Sequence, residues 1–322
     1  MDNPIIELRG LTKCYGTLKA VDDLNLSIQK GEIFGLLGPN GAGKTTTILM
    51  MLGLTDPTSG SVKVCGYNAT SNPISVKRKV GYMPDSLGFY DNMTALENLI
   101  YIGELNGIPS SEVRERATEM LRLVGLKDDD FNKKTSEYSR GMKQRLGLAD
   151  VLIKRPDVII LDEPTLGIDP AGVKDFLELI HALSRRQGLT VLLSSHHLHQ
   201  VQQVCDRVGI FVGGKLLVEG NLDSLSKNLF SDKSYEVQIT VQNDTSMVMK
   251  HYPELLALEY VQEVMVKEQT IDIVCSWDIT PHIVRFFVAK GFNVAGVQKK
   301  QYGLDDIYQK YFENNLTEHS QQ

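Results

Sequence analysis

The chain has 322 residues, 42% of them hydrophobic, which is enough for one large domain or two. Its net charge of −6 argues against a protein that holds nucleic acid through phosphate contacts, so we expect neither DNA nor RNA as a partner. No apolar run approaches the roughly 20 residues that cross a bilayer, and residues 1–10 lack the features of a signal peptide, which predicts a cytosolic chain. The four cysteines are scattered without a C-x-x-C pair and indicate neither a zinc site nor a disulfide framework.

The first segments of the chain have the pattern of antiparallel strands. Ile5 to Leu8 and Leu24 to Ile28 alternate apolar and polar residues, as half-buried strands do. Tyr15 lies between them, and an aromatic ring at this point could stack on a purine. The spacing alone is equally compatible with a tyrosine that only fills surface at a strand end.

A glycine-rich loop follows and is the most informative stretch of the chain. It reads GPNGAGKTT and contains the pattern G-x-x-x-x-G-K-[ST], whose backbone N–H groups form a cradle for phosphates. Ile33 to Leu37 before it reads as a buried strand and Thr46 to Leu52 after it as a helix, which is the context that this motif requires. Lys44 would reach the β- and γ-phosphates, and the Thr45 hydroxyl would bind Mg²⁺. The predicted nucleotide-binding residues of this loop are Gly38, Pro39, Asn40, Gly41, Ala42, Gly43, Lys44, Thr45 and Thr46.

A mostly helical region comes next, after a strand at Ser61 to Cys65 and a short one at Val80 to Met83 that is followed by Pro84 and Asp85. Within it Thr94 to Glu97 forms a capping box. The last helix begins near Ser139, a natural N-cap whose helix end presents free N–H groups. An ordinary capped helix explains this last feature as well as an anion site does.

Two more buried strands end in polar residues. Val158 to Leu161 is followed by Asp162 and Glu163, and Thr190 to Leu193 is followed by Ser194, Ser195 and His196. Ligands of open α/β sheets bind at the carboxyl ends of the strands, so these side chains should converge with the glycine-rich loop on one nucleotide. A polar turn after a buried strand is the plain alternative.

The chemistry of these residues suggests a division of roles. Asp162 can hold Mg²⁺ with Thr45, and Glu163 is the better candidate to polarise the attacking water. His196 is a candidate contact of the γ-phosphate. A metal site made by His196, His197 and His199 is disfavoured because no carboxylate or cysteine lies at a useful spacing.

Taken together, these residues resemble the ATPase subunits of ATP-binding cassette (ABC) transporters, whose motifs occur in order over residues 5 to about 225. The resemblance identifies the glycine-rich loop with Walker A, Tyr15 with the aromatic that stacks on adenine, and Val158 to Thr165 with Walker B and the catalytic glutamate. It identifies Leu166 to Asp169 with the D-loop, His196 with the switch histidine, and Tyr138 to Met142 with the signature segment.

Two departures from the family pattern are present. Asp85 stands where the family most often has a glutamine, and it could still reach Mg²⁺ with a shorter, charged arm. Arg140 and Met142 replace the usual glycine and glutamine of the signature, so within Ser139, Arg140 and Gly141 only the serine and the glycine carry over cleanly as γ-phosphate contacts. Both variations are similar to those of the export-type branch that works with separate membrane subunits.

The resemblance implies two copies that bind two ATP molecules between them, each signature closing over the other copy's phosphate loop. It also implies an integral membrane permease as partner and a position on the inner face of the cell membrane. The permease contact is expected near Leu87 to Asn92, although ordinary surface packing would also explain this patch.

A second, smaller domain is predicted after a polar linker at Asn221 to Lys233. We expect residues 1–225 to form the ATPase domain, with a helical insert at about 86–155, and residues 226–322 to form the linker and an accessory domain. The fold class is thus α/β, a P-loop NTPase core with an antiparallel β subdomain, plus a small α+β domain for which a ferredoxin-like arrangement is one candidate. The accessory elements are strands at Tyr235 to Val241 and Val294 to Val297, a hairpin or long strand at Val264 to Cys275, and helices at Pro281 to Ala289 and Asp305 to Phe312.

Two other functions are compatible with a phosphate loop. A soluble ABC protein acting on ribosomes or DNA usually has tandem cassettes or a coiled-coil insert, and this chain shows one cassette and no heptad array. A P-loop kinase would need an acceptor site and would leave the signature helix unexplained. The sequence therefore favours the ATPase of an exporter.

Overall fold

The computed structural model describes residues 3–201, 203–221, 224–225, 235–242, 246–267 and 270–299. The chain divides into two compact units, Met1–Leu222 and Asp223–Gln322. Among the described residues, no helix combines the length and the apolar character that a membrane span needs. All four cysteines are free thiols.

The first unit begins with an antiparallel sheet whose strand order is β2-β1-β4-β5. Its first two strands extend well beyond the predicted segments and form one long hairpin, which places Tyr15 next to the turn. The sheet pairs Ile6 with Ile28 and Leu8 with Leu26, so that alternate apolar side chains share the buried face. The strands are β1 (Ile6–Tyr15), β2 (Leu18–Ile28), β4 (Ser59–Val64) and β5 (Tyr67–Asn68).

The central sheet of this unit has the order β10-β9-β3-β8-β7-β6. Five neighbouring strands are parallel and β10 pairs antiparallel to β9 at one edge. Every residue of β3, β7 and β8 is buried. This confirms the prediction, made from their continuous apolar runs, that these strands are covered on both faces. The strands are β3 (Ile33–Leu37), β6 (Val80–Met83), β7 (Val158–Asp162), β8 (Thr190–Ser195), β9 (Arg207–Val212) and β10 (Lys215–Gly220).

Seven α-helices and two short 3₁₀ helices, Asp128–Asp130 and Thr135–Glu137, are described in this unit, and the predicted caps are present. At the start of α3 the Thr94 hydroxyl accepts from Glu97 N at 3.1 Å, and the Glu97 carboxylate accepts from Thr94 N at 2.8 Å. At the start of α5 the Ser139 hydroxyl accepts from Met142 N at 3.2 Å. The helices are α1 (Lys44–Met51), α2 (Pro73–Lys79), α3 (Ala95–Leu105), α4 (Ser110–Leu123), α5 (Arg140–Leu152), α6 (Pro170–Gln187) and α7 (Leu198–Val201).

From Tyr235 to Lys299 the described elements of the second unit follow the order β-α-β-β-α-β, which is the ferredoxin-like arrangement. Its antiparallel sheet has the order β12-β13-β11-β14. The segment predicted as a hairpin or long strand is a hairpin, and a helix that the sequence pattern did not predict, α8, carries Pro253 inside it. The helix predicted at Asp305 to Phe312 lies outside the described residues. The elements are β11 (Tyr235–Val241), α8 (Ser246–Leu256), β12 (Val261–Val266), β13 (Thr270–Cys275), α9 (Thr280–Ala289) and β14 (Val294–Lys299).

Each unit has its own hydrophobic core. In the first unit a cluster that includes Phe34, Ile48 and Phe211 fills the space around the antiparallel sheet and the central strands. In the second unit the apolar face of the sheet packs on residues such as Ile283 and Phe287.

Candidate functional site

The carboxyl ends of three neighbouring parallel strands meet at one edge of the central sheet. β8 lies between β3 and β7. Gly38 N donates to Ser195 O at 3.2 Å, and Glu163 N donates to Ser194 O at 2.9 Å, so the segments that leave β3 and β7 are both fixed to the end of β8. The polar residues predicted to converge are therefore adjacent.

The glycine-rich loop between β3 and α1 needs its glycines. A Cβ at Gly38 would lie 2.0 Å from Phe211 O, and one at Gly43 would lie 2.2 Å from Ala20 O. Gly43 has φ +105°, a region that only glycine adopts readily. No side chain at residue 43 caps α1, so the first N–H groups of this helix are not occupied by a side-chain cap and can bind an anion.

Lys44, the first residue of α1, is buried, with 6% of its surface exposed. Its Nζ donates to Gly38 O at 2.7 Å and to Pro39 O at 3.2 Å, and it lies 3.7 Å from Glu163 Oε1. Burial lowers the pKa of Lys44, and the carboxylates of Glu163 and Asp162 oppose that shift. The amine is thus surrounded by oxygen atoms that attract its charge.

Thr45 and Asp162 form a pair of oxygen ligands. The Thr45 hydroxyl donates to Asp162 Oδ2 at 2.9 Å, and Asp162 is 3% exposed. Burial raises the pKa of Asp162, the Ser194 and Thr45 hydroxyls lower it, and the charges of Glu163 and Asp85 raise it further. A buried carboxylate beside a hydroxyl and a second acid is a donor set that suits a hard cation such as Mg²⁺.

Glu163 follows Asp162 directly but faces another part of the site. Its backbone is left-handed, with φ +49°. Its Oε1 lies 2.9 Å from Nδ1 of His196, on the side of Lys44. Both carboxylate oxygens are buried, and among the described residues neither receives a hydrogen bond of good geometry. This carboxylate therefore keeps acceptor capacity for a further group.

Two of the histidines that follow β8, His196 and His197, lie next to each other. The ring centroids of His196 and His197 lie 3.9 Å apart with the planes tilted by 40°, and His197 N donates to the Ser195 hydroxyl at 3.0 Å. No group of three or more histidine, cysteine, aspartate or glutamate side chains suited to a metal occurs among the described residues.

A cavity of about 460 Å³ lies at Lys44, Asp162 and Glu163 and extends to an exposed aromatic ring. Tyr15, half exposed, lies at this cavity with Lys13 Nζ 5.1 Å from its ring centre. Sequence reasoning missed the β9–β10 turn, Gly213 and Gly214, although two glycines between apolar strands are a hairpin signal. Gly214 N donates to Ala42 O at 2.9 Å, which fixes this turn to the phosphate loop. The lining residues are Tyr15, Leu18, Lys19, Ala20, Asn40, Gly41, Ala42, Gly43, Lys44, Thr45, Thr46, Asp85, Asp162, Glu163, Gly213 and Gly214.

The signature residues lie elsewhere in the same chain. A separate cavity of about 270 Å³ is formed at the start of α5 by Ser139, Arg140 and Gly141 together with Asp169. The Asp169 carboxylate accepts from Gly172 N at 3.0 Å and so caps α6. The structure thus brings these four predicted residues together, but not with the phosphate loop of their own chain.

A phosphate loop at the carboxyl edge of a parallel sheet, beside two acidic residues, defines a P-loop nucleotide-binding protein. The family model described as ABC transporter matches residues 21–166. Over 306 residues, 95% of this chain and 96% of the relative, the chain is 38% identical to the bacitracin transport ATP-binding protein BcrA of Bacillus licheniformis. Over 308 residues, 94% of this chain and 97% of the relative, it is 32% identical to the linearmycin resistance ATP-binding protein LnrL of Bacillus subtilis.

Solved structures agree with this assignment. The dimeric ATP-binding cassette MJ0796 bound to ADP and Pi superposes with a TM-score of 0.62 at 26% identity, over 67% of this chain and 98% of that one. CbiO1 of Clostridium perfringens, part of the ABC transporter complex CbiONQ, superposes with a TM-score of 0.64 at 27% identity, over 72% of this chain and 92% of that one. The chain belongs to the ABC transporter family as an ATP-binding subunit, and it is an ATPase.

Proposed function

We propose that this chain hydrolyses Mg-ATP to power export of a substrate through a separate membrane permease. The convergence of Lys44, Asp162 and Glu163 on one cavity carries the proposal of the hydrolytic site. The names of its relatives, bacitracin transport and linearmycin resistance, support export as the direction. The permease would hold the chain on the inner face of the membrane.

Each residue of the site has a role in this proposal. The loop amides from Gly41 to Thr46 and the Lys44 amine would bind the phosphates, and Tyr15 would stack on the adenine. Thr45 and Asp162, with Asp85 close by, would hold Mg²⁺, which supplies neutralising charge at the phosphoryl oxygens.

The water would be oriented by Glu163, because this carboxylate has unused acceptor capacity beside the phosphate cradle. His196, 2.9 Å from Glu163 Oε1, would donate toward the γ-phosphate and help to hold the carboxylate in place.

Two copies would complete the site. Since Ser139 and Gly141 lie in a cavity away from their own phosphate loop, they would bind the γ-phosphate of a second copy's ATP. The dimeric solved cassette with ADP and Pi supports this arrangement. Residues 1–225 would then be the ATPase domain and residues 226–322 an accessory domain.

The permease would contact the surface from Leu87 to Asn92. Tyr90 is 54% exposed there, and its ring packs edge-on against Tyr101 of α3 with centroids 5.3 Å apart. An exposed aromatic pair suits a protein contact, and this segment follows closely in sequence on Asp85, which lines the cavity proposed for the nucleotide.

The substitution Glu163→Gln tests the hydrolytic role, because it keeps the shape of the side chain and removes its charge. General-base assistance is worth about 10²–10⁴-fold, so we expect ATP turnover to fall at least 100-fold while ATP affinity changes less than about threefold. Glu178→Gln, on the exposed face of α6, is the control and should retain wild-type turnover. Undiminished turnover of the Glu163 variant would remove this residue from the mechanism.

The Glu163→Gln variant also tests the proposed membrane permease partner. With ATP present, a tagged Glu163→Gln protein should capture an integral membrane protein from solubilised membranes, and mass spectrometry would identify it. Capture of ribosomal RNA without a membrane protein would contradict the transport proposal and favour a ribosome-associated ATPase.

A further inference from the structure

Arg140, the residue that departs from the usual signature, contacts the D-loop of its own chain. Its Nε donates to Leu166 O at 3.1 Å. Its stem lies over Gly167, since a Cβ at that glycine would stand 3.2 Å from Arg140 Nε and 3.5 Å from Cγ. Gly167 has φ +75° and offers no side chain of its own. The side chain at position 140 therefore spans the gap between α5 and residues 166–169.

The D-loop is also anchored on its other sides. Leu166 N donates to Glu163 O at 3.1 Å, and Ile168 N donates to Thr165 O at 3.3 Å. At the far end Asp169 caps α6, and a Cβ at Gly172 would lie 2.7 Å from Ile168 Cγ2. These contacts connect the D-loop to the Glu163 backbone and to α6. The contact from Arg140 connects the D-loop to α5, the helix that begins at the signature segment.

We propose that Arg140 is a positioning residue whose Nε–H tethers the D-loop to the first turn of α5. The tether presents Ser139, Gly141 and the D-loop to a second copy as one unit. The donor at Nε performs this role, and the positive charge of the guanidinium is not needed for it. The part of the inference that concerns a second copy rests on the proposed function, while the tether within one chain does not.

Two substitutions of matched length separate the donor from the charge. In Arg140→Gln, Nε2 stands the same number of bonds from Cα as the arginine Nε, so the donor remains and the charge is lost. Arg140→Met has the same length and no donor. A net hydrogen bond of this kind is worth about a two- to tenfold change in an equilibrium constant.

Hydrogen–deuterium exchange of the nucleotide-free full-length protein measures how strongly the contact from Arg140 protects the amides of the D-loop. We expect the amides of residues 165–169, between Pro164 and Pro170, to exchange about two- to tenfold faster in Arg140→Met, and within twofold of the wild-type rate in Arg140→Gln. Arg186→Met, at the exposed end of α6, is the control and should leave this segment unchanged. Equal rates in wild type and both position-140 variants, or equally fast rates in both variants, would overturn the tether.

The consequence for assembly is measured in a Glu163→Gln background as the ATP concentration that gives half-maximal dimer. Arg140→Met should raise it about two- to tenfold, and Arg140→Gln should not. If Arg140→Lys behaves as wild type while Arg140→Gln behaves as Arg140→Met, the charge matters and the positioning role is wrong. If the parent never dimerises, the proposed function fails, and the exchange rates still decide the tether.

Discussion

Asp162 and Glu163 are neighbours in sequence that serve different parts of one site. Asp162 ends β7 and accepts from Thr45, while the left-handed backbone of Glu163 turns its carboxylate toward Lys44 and His196. A non-glycine residue in this conformation costs on the order of 1–2 kcal/mol, so the surrounding contacts must hold it. The result is one carboxylate suited to a cation and a second suited to a water molecule.

Gly43→Ala should disable the phosphate loop, because its Cβ would overlap Ala20 O at 2.2 Å in addition to the cost of φ +105°. We expect the free energy of unfolding to fall by roughly 1–3 kcal/mol and ATP affinity to fall at least tenfold. Gly66→Ala is the control, since Gly66 has φ +81° with nothing within 4 Å of its Cβ position. Denaturant titration and ATP titration check both values, and wild-type affinity in the Gly43 variant would contradict the geometry.

Asp150 should make stability depend on pH. Burial raises its pKa to about 6, and Lys154 only partly opposes that shift. A carboxyl group whose folded pKa is raised destabilises the fold once it ionises, so wild-type stability should decrease as pH rises from about 4 to about 6. Asp150→Asn cannot ionise, and we expect it to be more stable than wild type by about 1–3 kcal/mol at pH 8, with the difference vanishing near pH 4. A constant difference across urea titrations at both pH values would refute this assignment.

At the scale of elements, one buried side chain holds the segment proposed to contact the permease. Asn98 of α3 is fully buried, and its Oδ1 accepts from Tyr90 N at 2.9 Å. Its Nδ2 donates to Tyr90 O at 3.1 Å and to Thr94 O at 2.9 Å. Lys143 of α5 lies 3.5 Å from Asp91, so the same segment is also linked to the signature helix.

Asn98→Leu should loosen this segment, because it removes the acceptor of the Tyr90 N–H, while the Tyr90 carbonyl still accepts from Met93 N and the Thr135 hydroxyl. We expect a loss of about 1–3 kcal/mol in the free energy of unfolding and faster amide exchange at residues 88–94. Asn106→Leu is the matched control, since Asn106 is exposed at the end of the same helix and its side chain donates only to Ile102 O among the described contacts. The prediction is wrong if both leucine variants show the same stability and exchange.

At the scale of the whole molecule, each of the two units buries an apolar core made of its own residues. The cavity proposed to bind the nucleotide is lined by residues of the first unit. Stability of the second unit and affinity for ATP should therefore be separable.

Phe287→Ala tests this separation, because Phe287 is fully buried in the core of the second unit. We expect that unit to lose about 3–5 kcal/mol of stability while the affinity for ATP stays within twofold. Val288→Ala, one residue on and 60% exposed, should change neither quantity. Calorimetry and ATP titration report the two properties, and a matching loss of ATP affinity would show that the units are coupled.

The sequence by itself determined the local features of this protein. The phosphate loop, the buried strands β3, β7 and β8, and the caps of α3 and α5 were predictable because each depends on residues within a few positions of one another. The α/β fold and the ABC family followed from the order of these motifs. The strands β9 and β10 and the helix α8 were missed, the last because Pro253 interrupts its helical pattern.

The sequence predicted that the residues at the strand ends converge on the glycine-rich loop, but only the tertiary structure decided the detailed contacts between distant residues. Gly214 N donates to Ala42 O, and Arg140 Nε donates to Leu166 O, and each of these contacts connects residues of different elements. The left-handed backbone of Glu163 likewise depends on its surroundings. Such contacts leave no periodic pattern in the chain, because their geometry is fixed by strand order and packing rather than by residue spacing.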